Sequence, residues 1–391
     1  MKILVASHTY IVDLNREKLR ELARLEPGTE VTVVVPKRWK PGGVQNKQVE
    51  SQPINEGSFR VVPVSNFSQN QQGLLTFGWD LVSLLREFRP DIIQVEQGAK
   101  ALGYAQFITL NRLLKLKAKN VFFTWWNLPY EVKFPLSVLE RYNLRHTDGV
   151  VVGNQDGANI LRDHGYDGAI TVLPQLGVDE ELFCPQNVLD LREELGITPQ
   201  EFVVGFVGRF VEEKGLLTLA KALEELGDRP WRWLLLGRGP LREQLESWAQ
   251  ERGLTDKLTF VESVPHDQVC RYINLLDTLV LPSETTYEFK TLSSVGWKEQ
   301  FGHVLIEAMA CRVPVIGSDS GEIPHVIGES GLVFPEGNAD ELRDCLVRLM
   351  ENPELAGELA QRGYHQGLAD YTNRAIAQKQ LAFYKQLLTH H

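Results

Sequence analysis

Residues 202–216 read Phe202-Val-Val-Gly-Phe-Val-Gly208-Arg209-Phe-Val-Glu-Glu-Lys214-Gly-Leu. An apolar, β-branched run stops at Gly208, a short loop follows, and a helical pattern opens near Lys214. A buried strand feeding directly into a helix is the repeating unit of a parallel sheet, whose crossovers need a helix to return the chain. The same alternation continues outward in both directions. Downstream, strand-like runs fall at Trp231–Gly237, Lys257–Val261, Thr278–Leu281, Val313–Gly317 and Gly331–Phe334. Upstream they fall at Lys2–Ala6, Glu30–Pro36, Phe59–Val64, Asp91–Val95, Asn120–Trp125, Gly149–Val152 and Ala169–Leu173. Helical stretches lie between them; in Asn15–Leu25, Leu19, Leu22 and Ala23 share one face.

The two series are separated by Pro174–Pro199, rich in turns and lacking a sustained strand. We therefore expect an α/β protein of two doubly wound, Rossmann-like domains, 1–185 and 186–372. Ligands of open parallel sheets bind at the strand C-terminal ends. This predicts a deep interdomain cleft, with one substrate held by each domain.

Composition narrows the function classes. With 43% hydrophobic and 24% charged residues the chain is ordinary globular material. The apolar core of MKILVASHTY is too short for a signal peptide, and no run approaches a membrane span. Cytoplasmic location is the expectation. Cys184, Cys270, Cys311 and Cys345 are scattered, which favours reduced core thiols over a metal or redox site. Residues 1–185 hold 21 Lys/Arg against 20 Asp/Glu, and the remainder 20 against 31. So acidic a chain lacks the electrostatic footprint of a nucleic-acid binder.

Arg209 leaves the sheet where the strand ends, and Lys214 sits at the helix start. A guanidinium fork and a lysine beside free helix N–H groups make a receptor for a diphosphate. Two solvated cations flanking a loop is the competing reading. The turn Gly237-Arg-Gly239-Pro240 lacks the third glycine of a dinucleotide fingerprint, so a structural turn and a nucleotide-facing turn stay open.

The segment Lys298-Glu299-Gln-Phe301-Gly302-His303-Val304-Leu-Ile-Glu307-Ala-Met-Ala-Cys-Arg-Val-Pro-Val-Ile-Gly carries more. Gly302 turns the chain into a helix near His303, with Glu307 one turn inside and Glu299 in the loop ahead. The carboxylates then address different parts of one ligand. A phosphate on the amides of Gly302–Val304 would leave a sugar hydroxyl for Glu299 and a ribose for Glu307, since each carboxylate accepts two hydrogen bonds from a vicinal diol. Simple enrichment of acids in a first helical turn explains Glu307 poorly, because its neighbours are apolar.

The spacing Glu299-x7-Glu307, with the F-G-x-x-x-x-E-A-M-A and V-P-V-I runs, resembles the retaining glycosyltransferases of family 4, which have the GT-B fold. Gly317–Pro324, Gly331–Asn338, the G-R-x-x-x-x-K-G stretch and the Gly237 turn follow the same pattern. Residues 172–365 fit throughout. The resemblance implies that Glu299 holds the donor hexose, Glu307 the ribose, and Arg209 and Lys214 the diphosphate beside Gly208. The base would rest near Ser263-Val264-Pro265. Retention by front-face substitution is implied, with no cofactor and no metal, because Arg209, Lys214 and the helix end meet the leaving charge. A C-terminal helix, its apolar residues running through Asn373–Leu388, would cross back onto the first domain. Glu299→Ala is then expected to weaken sugar-dependent binding and leave free nucleotide affinity nearly intact, whereas Glu307→Ala weakens both.

The first half departs from the pattern. Ser7-His8-Thr9-Tyr10 stands where relatives carry a glycine-rich turn, which makes His8 and Tyr10 candidate acceptor ligands. Asn127 stands near the usual place of a histidine, and Trp125 and Trp126 could stack on a sugar ring. Asn127 is no base, though a backbone carbonyl there could orient the acceptor hydroxyl. The insertion Glu284–Lys298, with Tyr287, Phe289 and Trp297, reads as a lid or a surface loop. Lys37–Lys40 and Arg112–Lys119 are basic patches of the kind that meets anionic lipid, with a solvated face as the alternative. The expected partners are a nucleotide sugar and a glycan, lipid-linked or small-molecule acceptor. A catalytically silent sugar-nucleotide binder, or an epimerase or phosphorylase of the same fold, competes with transfer.

Overall fold

In a computed structural model describing residues 1–40, 48–290 and 295–389, apart from the side chains of 289 and 290, the apolar runs become strands. The first ten are β1 (Lys2–Ala6), β2 (Glu30–Pro36), β3 (Arg38–Trp39), β4 (Val49–Glu50), β5 (Ile54–Glu56), β6 (Phe59–Val64), β7 (Ile92–Val95), β8 (Lys119–Thr124), β9 (Gly149–Val152) and β10 (Ala169–Val172). Among the described residues they form an eight-stranded sheet in the order β10-β9-β8-β7-β1-β2-β6-β5, with β3 and β4 paired separately. The sheet is parallel except for β5, which runs antiparallel to β6 along Ile54↔Val61 and Glu56↔Phe59. That edge strand is absent from the sequence expectation, because Ile54-Asn-Glu carries too little apolar periodicity to register.

Successive side chains of each strand point to opposite faces, so the sheet sorts its residues by parity. Leu4, Ala6, Val34, Ile93, Val95 and Phe122 face Leu81, Leu85, Tyr104, Phe107 and Leu161 from the intervening helices. Ile3, Val5, Val33, Ile92, Val121 and Phe123 face Leu19 and Leu22 together with Ile376, Leu381, Phe383 and Tyr384. The C-terminal helix Asn373–Thr389 therefore completes one layer of the first unit, 1–177, with an ion pair from Arg374 to Glu21 (3.1 Å) along its edge. Each such Leu or Phe contributes roughly 2 kcal/mol when removed from water.

The second unit, Val178–Thr372, holds β11 (Phe202–Arg209), β12 (Trp231–Arg238), β13 (Leu258–Val261), β14 (Thr278–Leu281), β15 (Thr286–Lys290), β16 (Val295–Trp297), β17 (Val315–Ser318) and β18 (Gly331–Phe334). Among the described residues, six of these form a parallel sheet ordered β13-β12-β11-β14-β17-β18. The insertion after Ser283 contains the antiparallel pair β15–β16; its residues 291–294, and the side chain of Phe289, lie outside the described set. All four cysteines are free. Cys184 and Cys270, far apart in sequence, share Gln186, whose Nε2 lies 3.8 and 3.6 Å from their sulfurs.

Candidate active site

At the C-terminal end of the second sheet the loops after β11 and β12 are bonded to one another. Phe210 N–H donates to Arg238 O (2.9 Å) and Leu241 N–H to Phe210 O (3.1 Å). A Cβ on Gly237 would lie 1.9 Å from Gly208 O, so the Gly237-Arg-Gly239 turn is explained by backbone contact. Of the two readings left open for it, this geometry supplies the structural one.

Beyond Gly208, Arg209 is exposed, its guanidinium 3.6 Å from the buried Glu213. Lys214 closes a 3-10 turn, Glu212–Lys214, and the helix proper begins at Leu216 after Gly215. The sequence expectation placed the helix start at Lys214 itself. The turn intervenes because Gly215 takes a left-handed φ of 65° that ends one helix and caps the next. Lys214 Nζ then reaches Glu299 Oε2 at 2.5 Å, and both side chains are largely removed from solvent. Ser283 Oγ donates to that same oxygen at 2.8 Å.

The backbone of Glu299 is pinned as well. Glu322 N–H donates to Glu299 O (3.2 Å), and Gly321 passes so close that a Cβ would stand 1.9 Å from that oxygen. Three residues on, Gly302 caps the helix His303–Ala310. Phe301 is buried and packs edge-on against Tyr371 at 5.7 Å, with the tilted ring of His303 at 5.3 Å. Val304 is half-buried, and Val264 is half-buried in the loop ahead of the helix His266–Ile273. Glu307 follows the buried Ile306 in this helix and is itself half-buried, and desolvation of its carboxyl pushes it up to about 8. Among the described residues its carboxylate has no hydrogen-bond or ion-pair partner. Glu299 thus sits in a polar bond set, whereas Glu307 is desolvated without one.

The first unit holds a different cluster. Tyr10 is fully buried and donates to Glu96 Oε1 at 2.9 Å, which corrects its expected place as an acceptor ligand. Glu96 also accepts from Gln94 (2.9 Å) and Gln175 (2.6 Å), and Trp125 Nε1 donates to Gln175 Oε1 at 2.9 Å. His8 packs its ring 4.9 Å from Trp39, and burial lowers its pKa to about 4, so it is neutral near pH 7. Its Nδ1 is buried without a partner among the described residues. Trp126 lies under Lys100, whose Nζ is 4.3 Å from that ring and 3.5 Å from the ring of Tyr130. Burial lowers the Lys100 ammonium to about 8, partly offset by Glu140. Tyr130 donates to Glu140 at 2.5 Å, and Asn127 is buried beside this group in sequence. Glu96, Lys100, Tyr130 and Gln175 escaped the sequence reading. Glu96 alone left a signal, an acid directly after an apolar strand.

The family models describing "Glycosyl transferase 4-like domain" and "Glycosyl transferases group 1" match residues 15–175 and 188–366. The 2-deoxystreptamine glucosyltransferase of Streptomyces kanamyceticus is 30% identical over 57% of this chain and 56% of its own length. The D-inositol 3-phosphate glycosyltransferase of Mycobacteroides abscessus is 28% identical over 54% and 46%. The chain thus spans about half the length of the curated relatives it matches. Among solved structures, sucrose-phosphate synthase from Thermosynechococcus elongatus superposes with a TM-score of 0.71, 22% identity and full coverage of both chains. Anabaena HepE, solved with UDP-glucose, gives 0.68 at 17% identity over 99% of each chain. The fold is therefore GT-B, and the chain belongs to the group 1 glycosyltransferases.

Proposed function

We propose that this enzyme moves a hexose from a nucleotide-diphosphate sugar to an acceptor hydroxyl, with retention at the anomeric carbon and without a metal. One observation carries the reading: Arg209 and Lys214 at the end of β11 lie in the same unit as Glu299, which Lys214 touches, and Glu307, one turn inside the Gly302-capped helix. Lys214, Arg209 and the amides of that helix start supply fixed positive charge where a leaving diphosphate would develop its own. Glu299 and Glu307 take the sugar and the ribose. Gly208, Phe301, Gly302, His303, Val304 and Val264 complete the donor side, the ring of Phe301 acting by packing. The first unit takes the acceptor, a glycan, lipid-linked or small-molecule alcohol, with His8, Trp125, Trp126 and Asn127 nearest to it. That relatives include enzymes named for a deoxystreptamine and an inositol phosphate acceptor supports a polyhydroxylated alcohol.

The test is a thermal-shift panel of uridine, guanosine and adenosine diphosphate sugars, followed by donor hydrolysis with the ligand that stabilises. One matched nucleotide sugar should raise the melting temperature and turn over. Tight binding with no turnover would support a silent binding protein instead.

We also propose peripheral contact with anionic lipid through the first unit, inside the cytoplasm. It rests on Val138, exposed on the same stripe of the helix Leu136–Arg145 as Arg141 and Arg145, and on Phe134, exposed in the turn just before that helix. Retention on anionic vesicles is its test.

A further inference from the structure

Lys214 is held from two sides. Its ammonium lies 2.5 Å from Glu299 Oε2 and 5.0 Å from the ring centroid of Trp297, contributed by β16. The carboxylate is not free to drift. Ser283 Oγ donates to the oxygen that meets Lys214, and the Ser283 carbonyl itself accepts from Ser318 at 2.5 Å. The hairpin is anchored beside this group. Glu284 N–H donates to Glu213 O (2.9 Å), its carboxylate accepts from Thr218 at 2.5 Å, and Thr285 donates through N–H and Oγ to Glu336 at 2.8 and 2.9 Å.

A diphosphate carries the same sign of charge as Glu299 and needs the same ammonium. The ammonium has three N–H donors, but two anions gathered on it repel each other, so a diphosphate arriving at Lys214 favours displacement of the carboxylate. We propose that Glu299 is an internal competitor of the diphosphate for Lys214, and that the pair thereby disfavours retention of the nucleoside diphosphate product. This rests on the donor-site reading above. An intact donor brings sugar hydroxyls that give the displaced carboxylate new hydrogen-bond donors. A free nucleoside diphosphate brings none, so Glu299 returns to Lys214 and the product is released. Trp297 keeps the ammonium in place during the exchange, because a ring face attracts the cation without occupying its N–H donors.

The consequence is a change of sign. Loss of the Glu299 charge should tighten free nucleoside diphosphate binding, where a residue that merely reads the sugar would leave it unchanged. Calorimetric titration of the full chain tests this with UDP, GDP and ADP and with UDP-glucose, GDP-mannose and ADP-glucose. For the base that binds, Glu299→Gln should hold the free diphosphate roughly tenfold tighter, the size expected when a charged hydrogen bond no longer competes. Its nucleotide-sugar affinity should fall. Glu299→Ala should move both affinities in the same directions. Trp297→Ala should weaken both ligands about threefold, with most of the loss restored in Trp297→Phe and none in Trp297→Leu. Unchanged or weaker diphosphate binding in Glu299→Gln overturns the competition. Equal affinities in Trp297→Ala and wild type overturn the part given to Trp297. A wild-type chain that binds none of the six nucleotides overturns the donor-site reading itself.

Discussion

Glu299 and Glu307 are eight positions apart, and their surroundings give them different chemistry. Glu299 is ion-paired with Lys214 and accepts a hydrogen bond from Ser283. Glu307 has apolar neighbours, and burial raises its carboxyl from 4.5 to about 8. Between those values the folded chain keeps a proton that the unfolded chain has lost. The stabilising effect of that proton is fully present below about pH 4.5 and declines as pH rises towards 8. Glu307→Gln mimics the protonated form at every pH. Melting curves of the two proteins should therefore nearly coincide at pH 5, and the wild type should fall below the variant by pH 8.5. A constant offset across that range would mean the carboxyl titrates normally. The spacing that singled out both residues was visible in the sequence. The Lys214–Glu299 contact was not, because it joins residues 85 positions apart through a turn that only Gly215 permits.

At the scale of elements, most parallel strands lie within two residues of where apolar periodicity put them, since a buried central strand has no way to be polar. Other elements were lost: β5 and the β3–β4 pair have too few residues to show a period, and the β15–β16 hairpin mixes Thr286, Glu288 and Lys290 into its strands instead of a continuous apolar run. The helices Leu102–Leu113 and Leu136–Arg145 show a pattern that local reading understates. Residues 100–147 hold eight Lys/Arg against two Asp/Glu in a chain of net charge −10. Arg112 Nη1 meets His146 Nε2 at 2.8 Å, which brings the basic ends of the two helices together. Leu113 (72% exposed) adjoins Arg112 in sequence, and Phe134 (83% exposed) stands at the other end of the second helix, just before its start. Each basic group near an anionic bilayer adds about 1 kcal/mol. The chain should co-sediment with phosphatidylglycerol vesicles and not with phosphatidylcholine, and Arg141→Glu with Arg145→Glu should reduce the bound fraction at least tenfold. Equal sedimentation of the double variant would place the contact elsewhere.

For the molecule as a whole, two Rossmann-like units were legible because each repeats the strand-helix alternation, and the second also carries ordered motifs. The first unit gave up its fold but not its chemistry. Its polar centre is Glu96 with Tyr10, Gln94 and Gln175, drawn from three separate places in the chain, and the C-terminal helix adds Gln380 and Tyr384 through Gln94. No local pattern announces such a set. In the other unit, Lys214 is the residue on which we propose the donor site is built. Titration of the matched nucleotide sugar into wild type and Lys214→Met, which keeps the apolar stem, tests it most directly. Donor binding should weaken by at least about tenfold and transfer should be lost, in a chain that still melts cooperatively. Wild-type affinity in the folded variant would contradict it.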